Sequence, residues 1–507
     1  MGKFFEMPFC KARLAHKLEL LVEKKMKTAK KIFFISLVAF FSMAQIFAQD
    51  WDDDWGGDSD SASASGEESA GGFWDKFKFS GDASLGGRIY FDNESAGKTE
   101  ARAIPELEIG LDYEGSSTNF SARINLSERT LLHNQIDILD EFRADLFLGD
   151  FVLSAGKMKV VWGKGDKLHV LDNFNANDYT DFLIPDYLDR RAGEYMFRVQ
   201  YNAPSVFRLE GIWTPIMRGE IYAEDGRWVP NKVKELTAQV ANTLVYENQS
   251  YNIGNLMKAL SVSENMYPDT NRLEYGQFGF YGNFSIGAVD LGVSYYNGHY
   301  KQISANMSSM LTKMALHQTP GIDDIPTLEY DKLQVFGLDA QAAAGPFTLR
   351  AELAYNLTKD TAGDDPWVHN NSISYLAGFD VGIPLHNLNL NVQGTGNFVL
   401  KKDKITEGAY KKYDTDHDPT GCYSNNKIVV QLKDTFYYEK VEAVVKAIYG
   451  FERRDLVLMP EVSYKIRDGW KARLSGLFIH NFGDDEDSEF AGWLDNSFIQ
   501  LSVHYSF

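Results

Sequence analysis

The sequence predicts an all-β fold, a transmembrane antiparallel up-and-down β-barrel of about eighteen strands. Three observations lead to this prediction. Apolar and polar residues alternate over many segments that are longer than the strands of soluble proteins. Charged residues recur on the polar side of these segments, where a dry core would not accommodate them. Short turns and long connections alternate along the chain, as they do when a chain crosses a membrane repeatedly.

The alternation is clearest in residues 77–91, FKFSGDASLGGRIYF. The odd positions are apolar or small, and the even positions include Lys78, Asp82 and Arg88. A period of two over this length predicts a long strand with one apolar and one polar face. The same pattern predicts strands near residues 77–91, 101–114, 118–128, 136–148, 151–162, 193–202, 205–214, 275–286, 289–300, 332–344, 347–358, 372–383, 388–399, 427–437, 439–452, 455–467, 470–482 and 495–507.

The connections between these segments fall into two classes. Short turns follow the even-numbered strands, for example at EGSS (114–117), NAPS (202–205) and RDG (467–469). A chain with short turns on one side of a layer and elaborated loops on the other has this organisation. The long connections cover residues 163–192, 215–274, 301–331 and 400–426.

The side on which the charges lie distinguishes a membrane barrel from a soluble sandwich. A soluble β-sandwich buries its apolar faces and has loops of mixed length at both ends. A transmembrane barrel turns its apolar faces to lipid and its polar faces to a wet lumen. We therefore predict that Arg123, Arg143, Asp145 and Arg198, which lie on polar faces, line the lumen. Barrels of this kind have even strand counts, so sixteen strands would also fit if the region 427–452 held none.

The first 48 residues have the pattern of a secretory signal peptide. Five lysines between residues 24 and 31 precede the apolar run IFFISLVAFFSMA (32–44), and Ala48 ends a small-residue cleavage site. We expect translation to start at Met26 and cleavage to follow Ala48, so that residues 1–48 comprise an extension and the signal. Residues 49–76 are acidic and rich in Gly and Ser, which predicts a solvated linker. Residues 77–507 form the predicted barrel.

The charge of the chain excludes nucleic acid as a partner. The 507 residues carry a formal net charge of −20. Removing residues 1–48, which hold nine basic and three acidic side chains, takes this to −26. No basic patch offsets the negative charge. Cys422 would be the remaining cysteine, so neither a disulfide framework nor a cysteine metal site is expected.

Catalytic and metal-binding patterns were also sought. The nine histidines after residue 48 lie in neither a nucleophile elbow nor an HExxH helix, so we predict no enzymatic activity and no cofactor. Residues 414–425, DTDHDPTGCYSN, begin like a calcium loop but have Pro419 at the sixth position and Asn425 at the twelfth. Residues 484–489 are a second acidic cluster. We interpret both as solvated surface charge and predict no metal site.

The connection 215–274 is the longest. Its residues 231–260 have apolar positions at roughly helical spacing, which would suit a helical lid or a partner surface. We prefer the simpler interpretation that this connection packs onto the barrel mouth.

The chain ends on an alternating strand with Tyr505 and Phe507. This ending resembles the terminal signal that the insertion machinery recognises in bacterial outer-membrane barrels. The resemblance implies outer-membrane lipid and that machinery as partners. Aromatic residues make up 14% of the chain and cluster at predicted strand ends, as the aromatic girdles of membrane barrels require.

The connection after the fifth predicted strand carries the most distinctive motif. Gly156 precedes Trp162-Gly163-Lys164-Gly165-Asp166, which is followed by Asp172, Asn175 and Asn177-Asp178. These residues, with YYNGHY (295–300) and IRDGW (466–470), resemble porin-like bacterial outer-membrane families that are related to phosphate-selective and alginate-export-like porins. Such families often have Asn-Pro where this chain has Asn177-Asp178.

The resemblance implies a porin in the Gram-negative outer membrane that passes small hydrophilic solutes by passive or facilitated diffusion, in some porins as a homotrimer. It also implies that the connection 163–192 folds into the lumen and narrows it. Gly163 and Gly165 would let the chain leave the wall sharply, and the loop charges would face Arg123, Arg143 and Arg198. The predicted constriction residues are Trp162, Gly163, Lys164, Gly165, Asp166, Asp172, Asn175, Asp178, Asp181, Arg190 and Arg191.

Two alternatives remain open from the sequence. The connection 163–192 could cap the outside of the barrel, with aspartates that only solvate it. The whole protein could be a surface-exposed adhesin or ligand-binding barrel whose lumen is plugged.

Overall fold

The structure, a computed structural model, describes residues 76–91, 100–166, 168–181, 190–203, 207–223, 226–229, 243–246, 249–252, 268–484 and 487–507. Eighteen strands form one sheet. They are β1 (Phe77–Tyr90), β2 (Glu100–Glu114), β3 (Thr118–Ser127), β4 (Leu139–Leu148), β5 (Phe151–Met158), β6 (Glu194–Ala203), β7 (Phe207–Thr214), β8 (Gln277–Ile286), β9 (Val289–His299), β10 (Lys332–Ala344), β11 (Phe347–Thr358), β12 (Ser372–Gly382), β13 (Asn389–Val399), β14 (Ser424–Phe436), β15 (Val441–Gly450), β16 (Asp455–Arg467), β17 (Trp470–Asn481) and β18 (Phe498–Ser506).

Each strand pairs antiparallel with its neighbours in sequence, and the last strand pairs with the first. The closing register runs from Asp82 opposite Ser506 to Tyr90 opposite Phe498. Closure pairs the backbone groups of both edge strands, which a barrel in lipid needs because no water is present there. The predicted eighteen-stranded up-and-down barrel is confirmed, and the region 427–452 contributes β14 and β15.

The outward face of the barrel is apolar. Phe79, Leu338 and Leu501 are among the large side chains that remain more than half exposed there. Their strand neighbours Ser80, Asp339 and Ser502 point to the opposite face, as strand geometry requires. Among the described residues, no helix combines the length and apolarity that crossing a membrane would require.

Short turns and long loops lie at opposite ends of the barrel, as the sequence predicts. Two of the tight turns have Gly287 and Gly345 at φ near +60°, a conformation that glycine adopts without steric penalty. The described helices and short strands lie in the long loops. They are the α-helices α1 (Glu128–Leu132), α2 (Ser308–Ala315) and α3 (Lys402–Glu407), the 3₁₀ helices Gln135–Ile138, Leu273–Tyr275, Ile322–Asp324 and Leu494–Asn496, and the strands Asp178–Tyr179, Ile221–Tyr222, Thr243–Tyr246, Gln249–Asn252, Ser304–Asn306 and Thr327–Glu329.

Strand boundaries next to the site differ from the predicted ones. The strand predicted near 136–148 begins at Leu139, because Ser127 caps α1 and a 3₁₀ helix follows. The strand predicted near 151–162 ends at Met158, where the loop leaves the wall.

The structure describes only part of two other predicted features, the segment of helical spacing and the N-terminal region. Within the segment of roughly helical spacing, Thr243–Tyr246 pairs with Gln249–Asn252 as a β-hairpin. The helical interpretation is therefore wrong for these residues, where β-branched and aromatic residues favour strands. Residues 231–242, the signal peptide and all of the linker except Lys76 lie outside the described residues.

Candidate functional site in the barrel lumen

The described residues of the loop 159–193, which are 159–166, 168–181 and 190–193, lie inside the barrel between β5 and β6. The indole Nε1 of Trp162 donates to Glu210 Oε1 at 2.8 Å, and Gly165 N donates to Glu352 Oε1 at 2.6 Å. Glu210 and Glu352 alternate with the outward apolar residues of β7 and β11, so both side chains face inward. The loop therefore contacts the inner wall well below the barrel mouth.

Glu352 is the main polar anchor of the loop. Besides Gly165, its carboxylate accepts a hydrogen bond from Val170 N at 2.8 Å and lies 3.0 Å from His169 Nδ1. The Glu352 side chain has no solvent exposure. A buried carboxylate is tolerated only when it is well hydrogen-bonded, and these contacts satisfy both of its oxygens.

The two glycines of the motif are required by this anchor. Gly163 has φ of +109°, and a Cβ there would lie 2.2 Å from Glu352 Oε1. A Cβ on Gly165 would lie 2.0 Å from the carbonyl oxygen of Leu168. Both glycines thus let the backbone approach the wall carboxylate closely.

Apolar packing holds the same limb of the loop against β8 to β10. The Trp162 ring lies 5.0 Å from Phe174 and 5.7 Å from Tyr281, and Phe174 lies 5.1 Å from Tyr296. Leu171 belongs to the same buried cluster. Full burial of such side chains contributes about 1.5–3 kcal/mol each, so this limb has a core of its own.

Asp172, Asn175 and Arg191 form the internal frame of the loop. Asp172 and Arg191 are a buried ion pair. Asn175 Nδ2 donates to the carbonyl oxygens of Met158 and Ala192, both at 2.9 Å. These bonds connect the start of the loop to its end, which gives a structural reason for an asparagine at this position of the motif.

The second limb reaches the opposite side of the lumen. Asp181 accepts from Arg88 on β1 at 3.0 Å, and Asp178 pairs with Arg129 on α1. Asp178 N donates to Arg190 O at 2.7 Å. A proline at position 178 could supply neither that N–H nor the carboxylate, so the departure from Asn-Pro is part of how this loop is held.

The remaining motif residues lie along the same path. Lys164 is half-buried between the two glycines. Asp166 is exposed and accepts from Asn391 Nδ2 on β13 at 3.2 Å. The Arg190 guanidinium lies 5.9 Å from the centre of the Tyr179 ring.

The three wall arginines that were expected to face the loop aspartates pair with carboxylates of the wall. Arg123 pairs with Asp112, at 2.9 Å, and Arg198 pairs with Glu210, at 2.6 Å. Each of these partners lies on the adjacent strand of the wall. Both partners are diagonal cross-strand neighbours, about 7–8 Å away, which a long arginine side chain can reach.

Arg143 behaves in the same way. It pairs with Asp145 of its own strand at 3.0 Å, and Asp145 also accepts from Ser154 Oγ at 2.6 Å. The registers of β3 to β5 place Arg143 and Asp145 on the inner face. Among the described residues, Arg88 is a wall arginine that does meet a loop aspartate, Asp181.

Sequence reasoning did not assign Glu210, Glu352, Arg88 or Arg129 to the site. The first three stand on the polar faces of alternating strands, so the sequence did contain a signal for a lumen position. The sequence did not show which loop residue each of these side chains contacts, because the contacting residues lie far apart along the chain. Glu352, for example, is 183 positions from His169.

Asp137 joins two loops and the end of β5 behind this site. Its carboxylate binds Lys157 Nζ at 3.0 Å and Arg218 Nη1 at 2.6 Å, and Arg129 lies 3.6 Å away. Burial by itself would raise the pKa of Asp137, but the hydrogen bonds and charges of Arg218 and Lys157 outweigh it and hold this pKa below its usual range. The cluster keeps α1 and the loop after β7 against the base of loop 159–193.

A second buried cluster, around His369, joins the outer loops. His369 Nδ1 lies 2.7 Å from Asp331 Oδ2, and its ring stacks on Tyr300 at 4.3 Å. Asn370 N donates to Asp416 Oδ2 at 2.6 Å. Residues from three loops therefore meet here, including part of the acidic segment 414–425. Among the described residues, no group of three His, Cys, Asp or Glu side chains is arranged to hold a metal ion.

The carboxylates near His369 have altered affinities for protons. Burial raises the pKa of Asp414 to about 6, and the charges of Asp416 and Asp360 add to the effect. Burial by itself lowers the pKa of His369, but the hydrogen bond to Asp331 and the charge of Asp416 outweigh it, so the pKa is raised. Both groups bind protons more tightly in the folded loops than in an unfolded chain.

We expect these outer loops to be more firmly packed at pH 5.5 than at pH 8. The stabilisation from His369 is present below its unfolded pKa of about 6.5 and is lost as pH rises through its higher folded pKa. Asp414 acts in the same direction, because it is protonated in the folded loops below about pH 6. A spin label on the exposed Cys422 should be more mobile at pH 8.

The variants H369Q and D414N provide the control for this pH effect. Each should flatten the pH dependence of the label, and the double variant should flatten it further. Burial also raises the pKa of Asp416, which would keep part of the effect. A label with the same mobility at both pH values in the unaltered protein would contradict the expectation.

The predicted C-terminal signal residues lie at the seam of the barrel. Phe507 N and O each pair with the backbone of Gly81 at 3.0 Å. A Cβ on Gly81 would lie 2.3 Å from the Phe507 ring, so glycine makes room for it. Tyr505 packs 4.8 Å from Trp470. These contacts close the β1–β18 junction at the short-turn end.

Comparison with known proteins returns solved structures of low sequence identity. No protein-family model matches the chain. No curated protein matches it either. Similar solved structures include OccAB4 of Acinetobacter baumannii (10% identity, TM-score 0.44, covering 85% of this chain and 98% of that one), a BenF-like porin from Pseudomonas fluorescens (9%, 0.44, 86% and 99%) and the outer membrane channel DcaP of A. baumannii (8%, 0.39, 85% and 97%). What this barrel does must therefore be inferred from its own lumen.

Proposed function

We propose that the protein is an outer-membrane channel through which small hydrophilic solutes diffuse, and that the loop 159–193 narrows its lumen. This proposal rests on a difference in solvent exposure between two sets of inner-face residues. Inner-face residues beneath the loop, such as Ala354 and Gln393, are buried. Inner-face charges elsewhere, such as Glu106, Glu108 and Lys433, are exposed. The contrast supports a water-filled passage beside the loop.

The contacts of the loop support its role as a constriction. It is anchored to β7, β11 and β13 on one side and, through Asp181, to β1 on the other. A loop held at both sides of a lumen restricts the cross-section that solutes can use. Neither catalysis nor a cofactor is needed for this function.

The test is single-channel recording in planar bilayers. The purified barrel should produce discrete conductance steps, and liposomes that contain it should take up small sugars faster than large ones. A folded barrel that produces no steps would overturn the proposal. Such a result would favour the alternative of a surface barrel with a plugged lumen. That alternative is compatible with the apolar cluster of the outer-loop residues Tyr251, Met310, Leu311 and Met314.

Several finer predictions belong to the same proposal. Cleavage after Ala48 can be tested by N-terminal sequencing of the exported protein, and a homotrimer by chemical cross-linking in detergent. Loss of membrane assembly on removal of Phe507 would support its recognition by the insertion machinery. The relation to phosphate-selective and alginate-export-like porins stays a prediction.

A further inference from the structure

Charge is divided between two parts of the inner wall that the loop leaves uncovered. We use the name basic arc for the inner faces of β14 to β17, and acidic arc for those of β2 to β4. The strand registers place side chains of both arcs on the lumen side. All of these strands are described in full, so their charges can be compared directly.

Basic residues outnumber acidic ones on the basic arc, and the reverse holds on the acidic arc. The basic arc carries Lys427, Lys433, Lys446, Lys465, Lys471 and Arg473 against Glu442, Asp455 and Glu461. The acidic arc carries Glu100, Glu106, Glu108, Asp112, Glu114, Glu141 and Asp145 against Arg102, Arg123 and Arg143.

Pairing within each arc does not remove this difference. On the basic arc, Glu442 is shared by Lys433 at 2.7 Å and Lys471 at 4.0 Å, so one carboxylate faces two ammonium groups. On the acidic arc, Arg123 pairs with Asp112 at 2.9 Å. Pairs with groups outside the arcs reduce the difference, because Glu489 meets Lys427 and Asp468 meets Lys465, while Arg227 meets Glu100 and Lys78 meets Glu114. With these pairs counted, each arc still keeps an excess of one sign.

The loop carboxylates are compensated in a different way. Asp172 pairs with Arg191 and Asp178 with Arg129, and Asp181 pairs with Arg88. Among the described aspartates of the loop, Asp166 is exposed, and it contacts Asn391. The described part of the loop therefore adds little uncompensated charge to the passage.

We propose that the two wall arcs, and not the loop, set the selectivity of the channel, and that they favour small zwitterions over uncharged solutes of the same size. An eighteen-stranded barrel with strands about 4.8 Å apart and a tilt of about 40° is roughly 35 Å wide between backbones. Screening acts over about 8 Å at physiological salt, so the field between the arcs is strongest near β18 and β1, the two strands that separate β17 from β2. A solute with separated opposite charges can align with that field.

The inference rests on the proposed function and can fail independently of it. In a tenfold KCl gradient, E106Q/E108Q should lower the preference for K⁺ over Cl⁻, and K446Q/R473Q should raise it. We expect each shift to be about twofold or more and to shrink in high salt. D166N on the loop should shift the preference less than either arc variant. D150N, in the exposed turn between β4 and β5, is the matched control and should leave the preference unchanged.

Glycine and its uncharged isomer glycolamide give the second readout. In liposome swelling, the glycine-to-glycolamide rate ratio should exceed one for the unaltered channel and fall in both arc variants. Channels that open but show no opposite shifts in the arc variants, or a shift with D166N equal to theirs, would overturn the inference. A protein that opens no channel would instead overturn the proposed function.

Discussion

Replacing the loop 159–193 with a short glycine–serine turn should raise single-channel conductance, on the order of twofold or more, because the passage widens when the loop leaves the lumen. The barrel allows this change. Met158 and Glu194 face each other across β5 and β6, so a turn of about four residues can join them with no change in register. The same variant should also admit larger sugars in liposome swelling.

Shortening the outer loop between β13 and β14 is the matched control. Tyr410 and Tyr413 of that loop pack against the apolar cluster of other outer loops. Its shortening should change conductance much less. A loop-159–193 variant that migrates as a folded barrel and conducts like the unaltered protein would refute the constriction.

The alternating faces made the barrel predictable from the sequence. Strands that must place one side in lipid and the other in water repeat the same two-residue pattern, and β1 and β18 carry it to their ends. The turns after even strands are short because antiparallel neighbours need little chain to connect them. Strand number and pairing followed from these two constraints.

The loop contacts could not be predicted in the same way. The pattern places Glu352 on the lumen side of β11, but it does not show that the carboxylate meets Gly165 and Val170. Those contacts depend on the path of an irregular loop, which the apolar packing of Trp162 and Phe174 decides. For the same reason the sequence paired the loop with Arg123, although Asp112 on the wall is its neighbour.

Glu352 determines whether the loop stays in place, so E352A should convert a steady channel into one that fluctuates between conductance levels. The substitution leaves the buried N–H groups of Gly165 and Val170 without their acceptor. Each such loss costs about 1–3 kcal/mol, which is enough to populate states in which the loop has left the wall. E352Q should have a smaller effect, because one amide oxygen can still accept a hydrogen bond.

E461A is the control for E352A. Glu461 is also an inner-face carboxylate, but it pairs with Arg473 at 3.2 Å and lies on β16, away from the loop anchors. It should shift ion preference without adding fluctuations. Brief protease treatment should cut the loop in E352A sooner than in E461A, while both keep heat-modifiable migration of a folded barrel. A steady E352A channel with a protected loop would mean that Trp162 and the Glu210 contact hold the loop without Glu352.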